Sequence, residues 1–215
     1  MIKVLKTTIL VGALSLFSTG CDDKSSKAKL VEPQVESTQE IAKTKVVEKP
    51  QTINLAKEAS DVFYSTFRDP AKIAPHDKSM ILVFGANGDP YTMKLKEDVF
   101  DSKKFQNRLK NDFSSYYFKT TQNDRHKLFH EGEFMDVDTK TMILIYGIVG
   151  TPTIIFTDKK GKAVILVPGY MPTKQFMVTM DFMDSKKWEG KDRKNGEVYQ
   201  ALKDFYIANG IEVSR

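Results

Sequence analysis

Apolar residues recur at helical spacing from Thr52 to Phe67, where Ile53, Leu55, Ala56, Ala59, Val62, Phe63 and Phe67 fall toward one side. This spacing predicts an amphipathic helix, closed by Asp69-Pro70. The pattern then changes. Ser79 to Gly85 (Ser-Met-Ile-Leu-Val-Phe-Gly) is apolar without alternation and short, which reads as a strand buried on both faces. Asp89-Pro90 opens a helix predicted to run to about Leu109, with Met93, Leu95, Val99, Phe100, Phe105 and Leu109 inward. Ser115 to Thr120 reads as a second strand, and Gln122 to Val137 as a polar loop or hairpin. Asp138 is placed to cap a helix over Thr139 to Tyr146. Two apolar runs, Pro152 to Thr157 and Ala163 to Val167, flank Asp158-Lys-Lys-Gly161 and predict a hairpin with a glycine turn. Closing helices follow over Pro172 to Met183 and Gly196 to Asn209, the second stopped by Gly210.

The first fifty residues have a different character. Lys3 and Lys6 precede an apolar run from Thr7 to Phe17 and the small residues Ser18, Thr19 and Gly20, the anatomy of a signal peptide over residues 1–20. The run is shorter than the about 20 apolar residues needed to span a bilayer. Thr19-Gly20-Cys21 resembles the lipobox of bacterial lipoproteins, with Ser18 where a leucine-like residue is usual. That resemblance implies lipid attachment at Cys21 and a protein held on the periplasmic side of a bacterial membrane, inner or outer. An ordinary secretory signal cleaved nearby would instead leave Cys21 as a thiol. Residues 21–50 lack aromatics and carry balanced Lys and Glu, so they cannot bury enough apolar surface to offset ordering. They read as a tether with a reach of about 30 Å.

Charge adds little. The formal net charge is +5, of which Lys3 and Lys6 contribute two, and the remaining lysines form no basic stripe. A nucleic-acid partner is not expected.

Cysteine usage changes the picture more. Cys21 is the one cysteine of the chain, so once lipidated it leaves no thiol for disulfides, thiolate ligation or thiol catalysis. Three histidines offer little else: His126 and His130 stand four apart near Glu131 and Glu133, but Gly132 and the polar setting favour a loop with no third ligand. His76 reads as a solvated linker residue. No metal or cofactor is expected, and the Tyr116-Tyr117-Phe118 run and the nine methionines read as core.

The order of elements and three local signatures resemble the thioredoxin superfamily, in particular exported proteins of the disulfide-interchange and SoxW types. Phe84-Gly-Ala-Asn-Gly-Asp-Pro-Tyr-Thr-Met-Lys-Leu is similar to the strand, loop and helix that carry C-P-Y-C in the family. Tyr146-Gly-Ile-Val-Gly-Thr-Pro-Thr-Ile-Ile-Phe resembles the cis-proline loop, with Pro152 in the proline position. Asp158-Lys-Lys-Gly-Lys and Val167-Pro-Gly-Tyr170 are similar to the hairpin and the glycine after it. The resemblance implies an α/β thioredoxin-like fold with a central mixed sheet of about four strands flanked by helices, plus extra N- and C-terminal helices. It divides the chain into an N-terminal helix and linker (51–78), a thioredoxin-like domain (79–184) and a helical extension (185–215). It also implies that Thr151 and Pro152 face an extended substrate or partner segment.

The departure lies at Asp89-Pro90-Tyr91-Thr92, which stands where the family keeps two thiols. Thiol exchange needs a thiolate and a resolving thiol, and neither residue supplies one. Aspartate followed by proline is instead a strong helix start. The reading that follows is a membrane-tethered, non-catalytic adaptor that recognises a periplasmic protein or peptide at the cis-proline groove. A divergent thiol oxidoreductase or isomerase and a purely structural envelope lipoprotein are the rivals.

Overall fold

The computed structural model describes residues 50–213, with side chains from residue 54 onward. The signal, lipid and tether readings, Cys21 included, lie outside these residues. Fourteen elements follow in order: α1 (Pro50–Thr66), β1 (Lys72–Ile73), β2 (Met80–Gly85), α2 (Pro90–Asp101), α3 (Lys103–Asn107), a π-helical turn (Arg108–Asp112), β3 (Ser114–Lys119), β4 (Arg125–His130), β5 (Glu133–Asp138), α4 (Thr139–Tyr146), β6 (Thr153–Thr157), β7 (Ala163–Pro168), α5 (Thr173–Ser185) and α6 (Glu197–Ala208).

The central sheet has four strands in the order β3-β2-β6-β7. β2 runs parallel to β3 and antiparallel to β6, and β6 is antiparallel to β7. This is the mixed four-stranded sheet read from the sequence. The side-chain period of two sorts it into two faces. Ile81, Val83, Tyr117, Ile154 and Phe156 join one core with Phe63 of α1, Leu95 and Val99 of α2, and Phe176 and Met180 of α5. Met80, Leu82, Phe84, Tyr116, Phe118 and Ile155 face the other way, onto Ile73, Leu128 and Met142. β2 feeds both cores, so its sequence shows no alternation.

Two features depart from the sequence reading. Of the two readings of Gln122 to Val137 the hairpin holds, as β4 and β5, and β1 joins it from the expected linker to make a second sheet, β1-β4-β5. β4 and β5 pair antiparallel across Glu131-Gly132, both at positive φ, and β1 adds in parallel to β4. The signal was weak because β5 is almost wholly exposed and β1 spans two residues.

The helix expected from Asp89 to Leu109 is also interrupted. Ser102 takes an extended conformation (φ −119, ψ 97) and its hydroxyl accepts from Phe105 N–H, so it ends α2 and caps α3. Gln106 Nε2 then donates to Val99 O and Phe100 O at 2.7 and 3.0 Å, satisfying carbonyls freed by the break. A serine that can bond the backbone locally competes with helix continuation, which spacing of apolar residues does not reveal.

β7 is an edge strand of the central sheet, and the C-terminal extension packs along it. Tyr199 of α6 accepts from Leu166 N–H at 3.2 Å and donates to Leu166 O at 3.4 Å, while Arg193 donates to Ala163 O. The C-terminal extension thereby occupies backbone groups that an open edge would present to another chain.

Candidate functional site

β2 delivers the chain to the site at Gly85, and only a residue without a side chain fits there. A Cβ on Gly85 would lie 2.7 Å from the Tyr117 hydroxyl and 2.8 Å from Thr92 Cγ2, both in well-packed surroundings. The chain turns through Ala86-Asn87-Gly88, with Gly88 at φ 80, and reaches Asp89.

Asp89 is the N-cap of α2, with Pro90 at its first position. Its Oδ2 accepts from Thr92 N–H at 2.8 Å and from the Thr92 hydroxyl at 2.6 Å. The Thr92 hydroxyl in turn accepts from Ala86 N–H at 3.3 Å. Thr92 is fully buried. Burial pulls the Asp89 carboxyl upward, but hydrogen bonds from the Thr92 side chain and N–H, with contributions from the Thr151 side chain and Tyr91 N–H, outweigh it and hold the carboxyl below its ordinary value. A carboxylate so stabilised is a weak base, and a hydroxyl with no exposed surface cannot attack a substrate. The pair closes the first turn of α2 by hydrogen bonds.

The Thr151 side chain is among the groups that hold the Asp89 carboxyl down, so the loop before β6 lies near the start of α2. The Thr151-Pro152 peptide bond is cis, and Pro152 is buried while Thr151 is half-buried. Thr153 donates to Gly150 O at 2.7 Å and Gly169 N–H donates to Pro152 O at 2.7 Å, so the loop is tied to its own turn and to the end of β7. Beside it, Val149 is 92% exposed and Tyr91 59% exposed. Leu144 and Ile145 of α4 are exposed as well.

Tyr91 is not isolated. Its ring stacks on Tyr170 with centroids 6.4 Å apart and planes 25° from parallel. The Tyr170 hydroxyl donates to Asp98 Oδ2 at 2.5 Å, and Lys94 Nζ lies 4.9 Å from the Tyr170 ring centre. Desolvation, the hydrogen bond to Asp98 and the charges of Asp98 and Glu97 together raise the Tyr170 phenol well above its usual range. Tyr170 therefore stays neutral and anchored, a platform for Tyr91. Sequence reading singled out neither Tyr170 nor Asp98 as site residues. The spacing of Tyr91, Lys94 and Asp98 places them on one face of α2 and could have pointed there. The meeting with Tyr170, seventy-two positions beyond Asp98, could not be read from spacing.

Two of the three histidines are held by partners within the protein. His126 is buried, with Nδ1 at 2.9 Å from Pro70 O and Nε2 at 2.9 Å from Thr139 Oγ1, so both ring nitrogens are used within the protein. His130 Nδ1 meets Gly161 O at 3.2 Å, and His76 is exposed at positive φ. Among the described residues no group of three or more His, Cys, Asp or Glu could hold a metal ion, and no helix is long and apolar enough to cross a membrane.

The order and pairing of β2, α2, β3, β6, β7 and α5, with a proline loop facing the start of α2, define a thioredoxin fold. The profile of the thioredoxin-like domain family matches residues 67–184, and the chain belongs to that family. A thioredoxin-fold protein from Helicobacter pylori is similar at 30% identity, over 72% of this chain and 97% of that one, with a TM-score of 0.65. A thioredoxin from Thermus thermophilus matches at 17% identity over 52% of this chain and 77% of its own, with a TM-score of 0.41. No curated protein matches the chain.

Proposed function

We propose that this thioredoxin-fold protein is a redox-inactive binding module, which recognises an extended protein segment between Tyr91 and the Thr151-Pro152 loop. The observation that carries the reading is the closed Asp89–Thr92 pair at the start of α2, flanked by an exposed aromatic and an accessible loop. Disulfide exchange within one chain needs two thiols, and Cys21 is the one cysteine in the sequence. What stays useful at such a site is recognition. The half-buried Thr151 offers backbone groups for pairing with an extended segment, and Tyr91 and Val149 offer apolar contact on either side.

The leader and its Thr19-Gly20-Cys21 ending support a lipid anchor at Cys21, a periplasmic setting and a domain carried on a tether. The partner is then another envelope protein within reach of the membrane.

Photocrosslinking in cells from positions 91 and 151, with position 127 on the exposed face of β4 as a control, tests this reading. A shared partner captured from 91 and 151 but not from 127, through adducts that resist reductant, supports it. Equal capture from all three positions contradicts it.

A further inference from the structure

A second cavity lies on the flank where the end of α1 meets edge strand β3, behind the Asp89 loop and sharing Tyr117 with its packing. There a cleft of about 400 Å³ is walled by the rings of Tyr64, Phe67 and Tyr117, with Arg68 and Lys119 at its polar part. That volume falls within the roughly 300–1,000 Å³ typical of small-molecule pockets. Its lining sets Arg68 and Lys119 against Asp69 and Asp124, and Lys96 behind Tyr64 adds a further cation. Lys96 is only 5% exposed, and its ammonium finds the Tyr64 hydroxyl at 3.1 Å and the rings of Tyr64 and Phe63 at 4.8 and 5.7 Å. The Lys119 ammonium lies over the same Tyr64 ring at 5.0 Å. Among the described residues, none of Lys96, Lys119 and Arg68 forms an ion pair.

A buried ammonium held by one hydroxyl and two ring faces lacks the negative partner that normally offsets its desolvation. Because Lys96 donates to the Tyr64 oxygen, the Tyr64 proton is left to be donated elsewhere. Donors thus outnumber acceptors at this corner. Two carboxylates also line the cleft, Asp69 and Asp124, but Asp69 is engaged with Ala71 N–H at 2.9 Å and neither pairs with a cation.

We propose that this cleft binds a small organic anion, a carboxylate on a planar apolar body. The carboxylate sits at Lys119 and the Tyr64 hydroxyl, with Lys96 behind Tyr64 and Arg68 at the rim adding positive potential. The body lies against the cleft-facing sides of Tyr64 and Phe67, which pack on the buried Tyr117 at 5.6 and 5.9 Å and which an inorganic anion would leave uncovered. This site is independent of the reading of the Thr151-Pro152 loop and can fail or hold without it.

Benzoate is the probe, added to the full chain and followed by NMR of the Tyr64 and Lys119 signals. Benzyl alcohol and inorganic phosphate serve as the neutral and body-less comparisons. Saturable benzoate shifts confined to this cleft are expected, weakened about tenfold or more in Lys119→Gln and in Tyr64→Phe and unchanged in Lys127→Gln. Lys96→Met is expected to leave the unliganded protein as stable or more so, and to reduce the thermal shift that benzoate produces. Benzyl alcohol binding as well as benzoate, phosphate binding in its place, unchanged benzoate affinity in Lys119→Gln, or no benzoate binding each overturns the proposal.

Discussion

The Thr92 hydroxyl donates to Asp89 Oδ2 at 2.6 Å while Thr92 N–H donates to the same oxygen at 2.8 Å, so one carboxylate oxygen holds both polar groups of the residue three positions on. This double grip ties the turn after β2 to the first turn of α2. It uses the orphan N–H groups and the dipole of a helix start, features that elsewhere stabilise an anion or a reactive group, to fix the backbone instead.

Replacing Asp89 tests the grip directly. Asp89→Ala removes the cap and leaves Thr92 without its acceptor, at an expected loss of about 0.5–2 kcal/mol in urea unfolding, and Asp89→Asn is expected to lose less. Equal stability of the alanine variant and the natural chain would contradict the account.

The same carboxylate makes stability depend on acid. Its folded-state pKa lies below the ordinary 3.8, with hydrogen bonds from Thr92 outweighing the effect of burial, so its ionised form is favoured by folding. That contribution is present above the ordinary value and is lost as pH falls through the lower folded value. The stability gap between the natural chain and Asp89→Asn is therefore expected to be constant near neutrality and to narrow below pH 3.8. Paired denaturation curves across that range measure it.

Gly85 is held by a close approach. Gly85→Ala would drive a methyl toward the Tyr117 hydroxyl and Thr92 Cγ2, at an expected cost of about 1–3 kcal/mol for overpacking. The Gly85→Ala, Tyr117→Phe double variant is expected to recover part of that loss, since it removes the hydroxyl at 2.7 Å. Thermal unfolding of the four proteins in the cycle reads the coupling.

Tyr170 anchors the aromatic pair at the groove. Tyr170→Phe removes the hydrogen bond to Asp98, and a loss of about 1–2 kcal/mol is expected for a bond to a charged acceptor that is partly exposed. Ultraviolet titration is expected to lose one late-ionising phenol in this variant, because Tyr170 titrates above the usual range.

Much of the fold was legible because its strongest signals are local. Asp138 caps α4 by accepting from Thr141 N–H at 2.7 Å, Gly147 closes it in the left-handed region, and the β6–β7 hairpin follows its glycine turn. What stayed hidden depends on partners far along the chain. β1 exists because Lys72 and Ile73 pair with Lys127 and Leu128, and Ser102 breaks a helix whose apolar spacing continues through it. At the site, Asp89 and Thr92 could be placed by the helix-start chemistry of their own segment. The Tyr170 platform and the lysines around Tyr64 could not, because they form only when α1, α2, β3 and the end of β7 pack together.

Insulin disulfide reduction tests most directly the proposal that the hydrogen-bonded Asp89–Thr92 pair occupies the thiol positions of a thioredoxin-type site. The natural chain is expected to show no rate above buffer, and the Asp89→Cys, Thr92→Cys double variant a clear one, since the helix start that would stabilise a thiolate is in place. Reduction by the natural chain, or an inert double variant that is folded, would contradict the account.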